Sequence, residues 1–198
     1  MAVRQWSAPF VALEQLVPRR GSVLDFGCGN GLYSIQLALA SQDRHIHGVD
    51  LSSYKVGQAR RAAAAAGVSD RVHFDVVAPG WTPDAGRYEV AVANDVLYLL
   101  DEASIERTVR SLAAAVSGAG PVIVKEVAGA PRWKHRLGMA QEFLAVRVLR
   151  ITKGSVIHPT PLVAVERSLA LGGWQATQVQ LDEGYWYPHA AVVAHKPG

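Results

Sequence analysis

The chain has 198 residues, with 20 Lys and Arg against 17 Asp and Glu, so its formal charge is only +3. A balance that small excludes a dedicated polyanion-binding protein, and a chain of this length buries roughly 70% of its unfolded surface without needing covalent staples. One cysteine, Cys28, excludes an intrachain disulfide framework and an all-cysteine zinc site.

The opening MAVRQWSAPF lacks the apolar core of a signal peptide, and no apolar run reaches the roughly 20 residues of a membrane span. The expectation is a soluble, cytoplasmic protein with residues 1–198 forming one domain. Phe10, Leu13, Leu16 and Val17 recur near helical spacing until Pro18 stops them. SVLDFGCGNG then gives a short apolar strand closed by Asp25 and the glycines Gly27, Gly29 and Gly31, and Leu32, Ile35, Leu37 and Leu39 continue as a helix. IHGV, residues 46–49, reads as a strand ending at Asp50, followed by a helix over 53–66 that carries the alanine run from Ala62 and ends at Gly67.

Strands are predicted at Val72–Val77 and, beyond a loop rich in proline and glycine, at YEVAVAN. Asp101 and Glu102 open a helix that runs to Val116, with negative charge where a helix N-terminus favours it. PVIVKEV is the fifth strand, 129–160 is mostly helical in pattern, and Leu162–Leu171 is a helix ended by Gly172-Gly173. Two strands near 175–181 and 190–195 flank the turn DEGYWYPH and must be antiparallel, because no crossover joins them. The alternation predicts a doubly wound α/β fold: a mainly parallel seven-stranded sheet, an antiparallel last strand, and helices on both faces.

The glycine loop joins a strand to a helix, which points backbone N–H groups and a helix dipole at a ligand. Asp50, about twenty residues later, stands where a carboxylate takes two ribose hydroxyls. A dinucleotide fingerprint needs G-x-G-x-x-G, but here the third glycine comes one residue early, as G-C-G-N-G. Asp25 would also repel a pyrophosphate, whereas it suits a ligand with an amino group and a sulfonium. S-adenosylmethionine therefore fits better than NAD.

On these residues the chain resembles the class I S-adenosylmethionine-dependent methyltransferases, over about residues 20–127 and more loosely at the C-terminal hairpin. The resemblance implies that DFGCGNG (Asp25, Gly27, Cys28, Gly29, Gly31) meets the methionine part of the cofactor. It implies that Asp50 holds the ribose and that Leu51 lies on the adenine. NDVLY, Asn94 to Tyr98, matches the segment that approaches the methionine end and faces the acceptor. The family usually ends its third strand with an acid; that position is Ala78 here, so adenine recognition is expected from backbone atoms, with Trp81 nearby.

Methyl transfer mainly requires donor and acceptor to be aligned in a water-poor pocket, with a base only for some acceptors. Candidate bases are His135, His158, Glu126 and Tyr98. The histidines show no metal spacing, and no catalytic metal is expected. In the segment after the fifth strand, Trp133, Leu137, Ala140, Leu144, Val148 and Ile151 share one helical face. Six basic residues, Arg132, Lys134, Arg136, Arg147, Arg150 and Lys153, stand there against Glu142 alone. One reading is a solvated face on a lid helix. The other is a cover that attracts an anionic, partly hydrophobic acceptor, with Trp133, Arg136 and Arg150 in contact and Tyr185 and Tyr187 as a pocket wall or a dimer contact. A membrane surface is a lesser alternative.

The expected function is methyl transfer to a small molecule of specialised metabolism or lipid-like character, by a monomer or homodimer and with no nucleic-acid partner. A binding-only partner subunit, a methyltransferase acting on a macromolecule, and an NAD-dependent oxidoreductase are the alternatives.

Overall fold

The computed structural model describes residues 9–127, 162–181 and 188–197. Seven strands form one sheet: β1 (Gly21–Phe26), β2 (Arg44–Asp50), β3 (Val72–Val76), β4 (Val90–Asn94), β5 (Val122–Val127), β6 (Gln175–Gln180) and β7 (His189–His195). Their spatial order is β3-β2-β1-β4-β5-β7-β6. The first five strands are parallel, whereas β7 runs antiparallel to both β5 and β6. The sequence anticipates this architecture, with strand limits off by one or two residues.

Composition explains the order. The central strands β4 (VAVAN) and β5 (VIVKEV) are buried on both faces and read as nearly continuous apolar runs. The edges carry polar residues instead: β6 reads QATQVQ and is largely exposed, and β3 leaves His73 and Asp75 in solvent.

Helices α1 (Phe10–Gln15), α2 (Leu32–Ala40) and α3 (Ser53–Ala65) cover one face. Helices α4 (Glu102–Ala115) and α5 (Leu162–Leu171) cover the other. Asp101 caps α4 by accepting a hydrogen bond from the Ser104 N–H at 2.7 Å, the role its sequence position suggests. Between β3 and β4 the chain crosses without a helix, as the Pro79, Gly80, Pro83 and Gly86 punctuation predicts. After β4 the sequence offers no clear element, and the structure has a single 3₁₀ turn, Leu97–Leu99.

Helix α1 is held by a buried cation. The Arg44 side chain, fully enclosed, donates to Glu14 Oε1 at 2.6 Å and to the carbonyls of Pro18, Val17 and Leu37 at 2.7, 2.5 and 3.1 Å. The guanidinium fork thus satisfies two carbonyls of the segment that leaves α1, Val17 and Pro18, and one in the last turn of α2, Leu37. This tie places Phe10 against Tyr33, with ring centroids 5.6 Å apart. Arg44→Ala is expected to destabilise the protein by about 3–5 kcal/mol, because it leaves the buried Glu14 carboxylate with only the exposed Arg19, at 3.5 Å, and several carbonyls without their donor. Chemical denaturation checks this, and adding Glu14→Gln should recover part of the loss.

Candidate functional site

The chain leaves β1 toward β2 on one side, and β4 lies on the other, so the C-terminal ends of β1 and β4 diverge and open a crevice. Asp25, Gly27, Cys28, Gly29, Asp50, Asn94 and Tyr98 all line it, so seven of the sequence-selected residues come together. Phe10, Tyr33 and Asp95 line it as well.

The loop after β1 is stitched to β2. The N–H groups of Gly27 and Cys28 both donate to the Val49 carbonyl, at 2.8 and 3.0 Å. The glycines divide their work. A Cβ on Gly29 (φ +57°) would meet nothing within 4 Å, so this is where the backbone lies open to a ligand. Gly27 and Gly31 serve packing instead: a Cβ would fall 2.4 Å from Val96 Cγ2 at Gly27 and 2.6 Å from Phe74 Cζ at Gly31. Gly31 does not line the crevice; it opens helix α2 against β3.

Asp50 ends β2 with each carboxylate oxygen accepting one backbone bond. Oδ2 accepts from the Gly29 N–H at 3.0 Å and Oδ1 from the Ser52 N–H at 2.8 Å. A further lone pair on each oxygen remains for a pair of hydroxyls. Asp25 is deeper. Burial pushes its carboxyl up to about 6, against a 2.5 Å bond from Ser34 Oγ, and the Asp50 charge adds to the rise. A cationic group beside it would reverse that shift. Burial, with Asp25 and Asp50 adding, also pushes the Cys28 thiol far upward, so it is no thiolate nucleophile.

The far wall is the loop after β4, and two consecutive residues of β5 hold it. Lys125, fully buried, places its Nζ 2.5 Å from Asp95 Oδ2, and the Asp95 N–H donates to the Lys125 carbonyl at 2.9 Å. Glu126 Oε1 accepts from the N–H groups of Val96 and Leu97 at 3.2 and 2.7 Å. Burial first, then the Asp95 charge, pushes the Glu126 carboxyl up to about 8. Glu126 is thus a buttress behind the loop and does not line the crevice, whereas Tyr98 does.

Leu51 is 60% exposed beside Asp50, and Ala78 follows β3; neither lines the crevice. Asp75 turns away to pair with His47 and Arg60. The candidate bases His135 and His158 lie outside the described residues. So do the candidate acceptor contacts Trp133, Arg136, Arg150, Tyr185 and Tyr187.

Sequence reasoning did not single out Tyr33, Asp95 or Lys125. A signal was present for the last: adjacent charges, Lys125-Glu126, interrupt an otherwise apolar central strand. Three lining residues carry a buried oxygen without a hydrogen-bond partner: Tyr33 Oη, Asn94 Oδ1 and Asp95 Oδ1. Native proteins rarely leave such atoms unsatisfied, so the crevice is built to receive donor groups. Among the described residues no cluster of metal ligands occurs.

S-adenosylmethionine fits this chemistry. Asp25 and the unpartnered oxygens suit its ammonium and hydrogen-bond donors, Asp50 its ribose hydroxyls, and the open face of Gly29 a close approach. The comparisons agree. A family model described as a methyltransferase domain matches residues 4–178. A ribosomal protein L11 methyltransferase from Dechloromonas aromatica is 39% identical over 82 residues, which is 41% of this chain and 26% of that protein. The chain spans 26%, 23% and 65% of the curated relatives it matches. Among solved structures, the [4+2]-cyclase SpnF has a TM-score of 0.71 at 18% identity, covering 95% of this chain and 80% of that one. An O-methyltransferase family protein from Burkholderia thailandensis also scores 0.71, at 17% identity, over 96% and 56% of the two chains. The chain belongs to the methyltransferase-domain family.

Proposed function

We propose that this protein transfers a methyl group from S-adenosylmethionine to a small-molecule acceptor that is anionic and partly hydrophobic. The observation that carries the reading is the crevice itself, where two carboxylates and three unpartnered buried oxygens line one opening at the sheet's switch point. When bound, the donor supplies a methyl group on a positively charged sulfur, which becomes an uncharged thioether as the carbon–sulfur bond breaks.

The chain's own residues orient and enclose. Asp50 is fixed by two backbone bonds before any ribose arrives, so little order remains to be bought on binding. Phe10 and Tyr33 make an aromatic wall that keeps water from one side. The loop carrying Asn94 and Tyr98 is braced from behind by Glu126, which fixes the side on which an acceptor meets the donor.

The anionic character rests on charge placement. The described crevice lining is acidic, with Asp25, Asp50 and Asp95 against Lys55. These carboxylates suit a cationic donor and would repel a negatively charged acceptor. Residues 132–153 carry six basic side chains against Glu142 in the sequence, and that excess of positive charge supports an acceptor of negative charge.

Incubation with methyl-labelled S-adenosylmethionine and a panel of acidic and acyl-bearing small molecules, read by mass spectrometry, should yield a labelled product. Label entering ribosomal RNA or protein alone would favour the macromolecular reading, and intact donor binding without any product would favour a binding subunit. Affinity should also depend on pH. Asp25 must be ionised to hold the donor's ammonium, so affinity for S-adenosylhomocysteine should fall as pH drops through about 6. Binding near pH 6 should release a proton, seen as a dependence of calorimetric heat on buffer ionisation enthalpy. Heat independent of buffer would place the ammonium elsewhere.

A further inference from the structure

Asp95 is the least economical residue in the crevice. It is the only non-glycine residue with positive φ (+51°) among the described residues, a conformation that costs an L-residue about 1 kcal/mol or more. It engages a lysine that is fully buried in a central strand, where an unpaired ammonium would not survive. Loop anchoring alone does not require either feature, because Glu126 already holds the next two backbone N–H groups.

The two oxygens of Asp95 are not equivalent. Oδ2 is committed to Lys125 Nζ at 2.5 Å, while Oδ1 is buried without a partner in a residue that lines the crevice. Lys125 is fully enclosed, whereas the Asp95 side chain is 22% exposed. The pair is therefore a fixed dipole with its positive end inside the sheet and its negative end toward the ligand. In a site shielded from water such a dipole acts on a nearby charge without reorganising.

We infer that Asp95, held by Lys125, is a selectivity residue that reads the positive charge at the methyl-bearing sulfur, so that the charged donor is held more tightly than its uncharged demethylated product. The inference rests on the methyl-donor reading above. Donor and product share the ribose, the adenine and the amino acid, so Asp50 and Asp25 treat them alike. They differ at sulfur, and a carboxylate oxygen left free at the acceptor-facing loop senses that difference. The same contact favours release of spent product, whose attraction to Asp95 disappears with the charge.

The test is calorimetric binding of three probes: S-adenosylmethionine, S-adenosylhomocysteine, and sinefungin, which carries an amine in place of the methylated sulfur. Asp95→Asn should weaken S-adenosylmethionine and sinefungin about tenfold and leave S-adenosylhomocysteine within twofold. Asn tolerates the positive φ, and unchanged binding of the neutral probe reports an intact site. The double variant Asp95→Asn/Lys125→Met leaves no buried charge unpaired and should show the same selective loss. Equal changes for all three probes, or none for any, would overturn the inference while leaving the methyl-donor reading in place. A wild-type protein that binds none of the probes would overturn both.

Discussion

Two adjacent side chains of one strand carry the wall of the cleft that the sheet alone would not make. Lys125 and Glu126 sit in β5 opposite Ala191 and Ala190 of β7, with Asn94 of β4 on the other side of Lys125, and both are spent on the loop that follows β4. Burying either charge costs several kcal/mol unless it is met by partners. Here the lysine meets a carboxylate, and the glutamate, its carboxyl pushed up to about 8, meets two backbone donors. The penalty explains why the arrangement is rigid: the loop cannot shift without exposing one of these groups to an apolar sheet.

That rigidity spreads to the glycine loop. Val96, fixed by Glu126, occupies the space a Cβ at Gly27 would need, so the loops after β1 and β4 are in direct register across the switch point. On the other side Asp50 takes the Gly29 N–H, which ties the same loop to the end of β2. The crevice is thus bounded by three strand ends that share contacts with one another. Each lends it an aspartate (Asp25, Asp50 or Asp95), and each aspartate is held differently. Ser34 orients the first, backbone amides the second, and a buried lysine the third.

Much of this was legible in the sequence. The strand–helix alternation, the antiparallel final pair and the Pro/Gly crossing between β3 and β4 follow from periodicity and punctuation, which act locally. The cofactor loop was legible because its chemistry needs residues at fixed spacing within one βα turn. Asp95 and Lys125 were not, because their link joins positions 30 residues apart and shows only once the sheet is assembled. Glu126 reads from sequence as a base at a strand end. In the fold its side chain turns behind the neighbouring loop, a difference of direction that strand position alone does not encode. Gly31 is similar: the motif suggests ligand approach, and packing against Phe74 and Ala59 is what demands glycine there.

The central claim is that this crevice binds the methyl donor through carboxylates already fixed before it arrives. Calorimetric titration of S-adenosylhomocysteine into wild-type protein and into Asp50→Ala tests it most directly. The account predicts binding by the wild type and a loss on the order of 100-fold in the variant, since two hydroxyl bonds to a charged acceptor disappear. Equal affinity in the two proteins would contradict it.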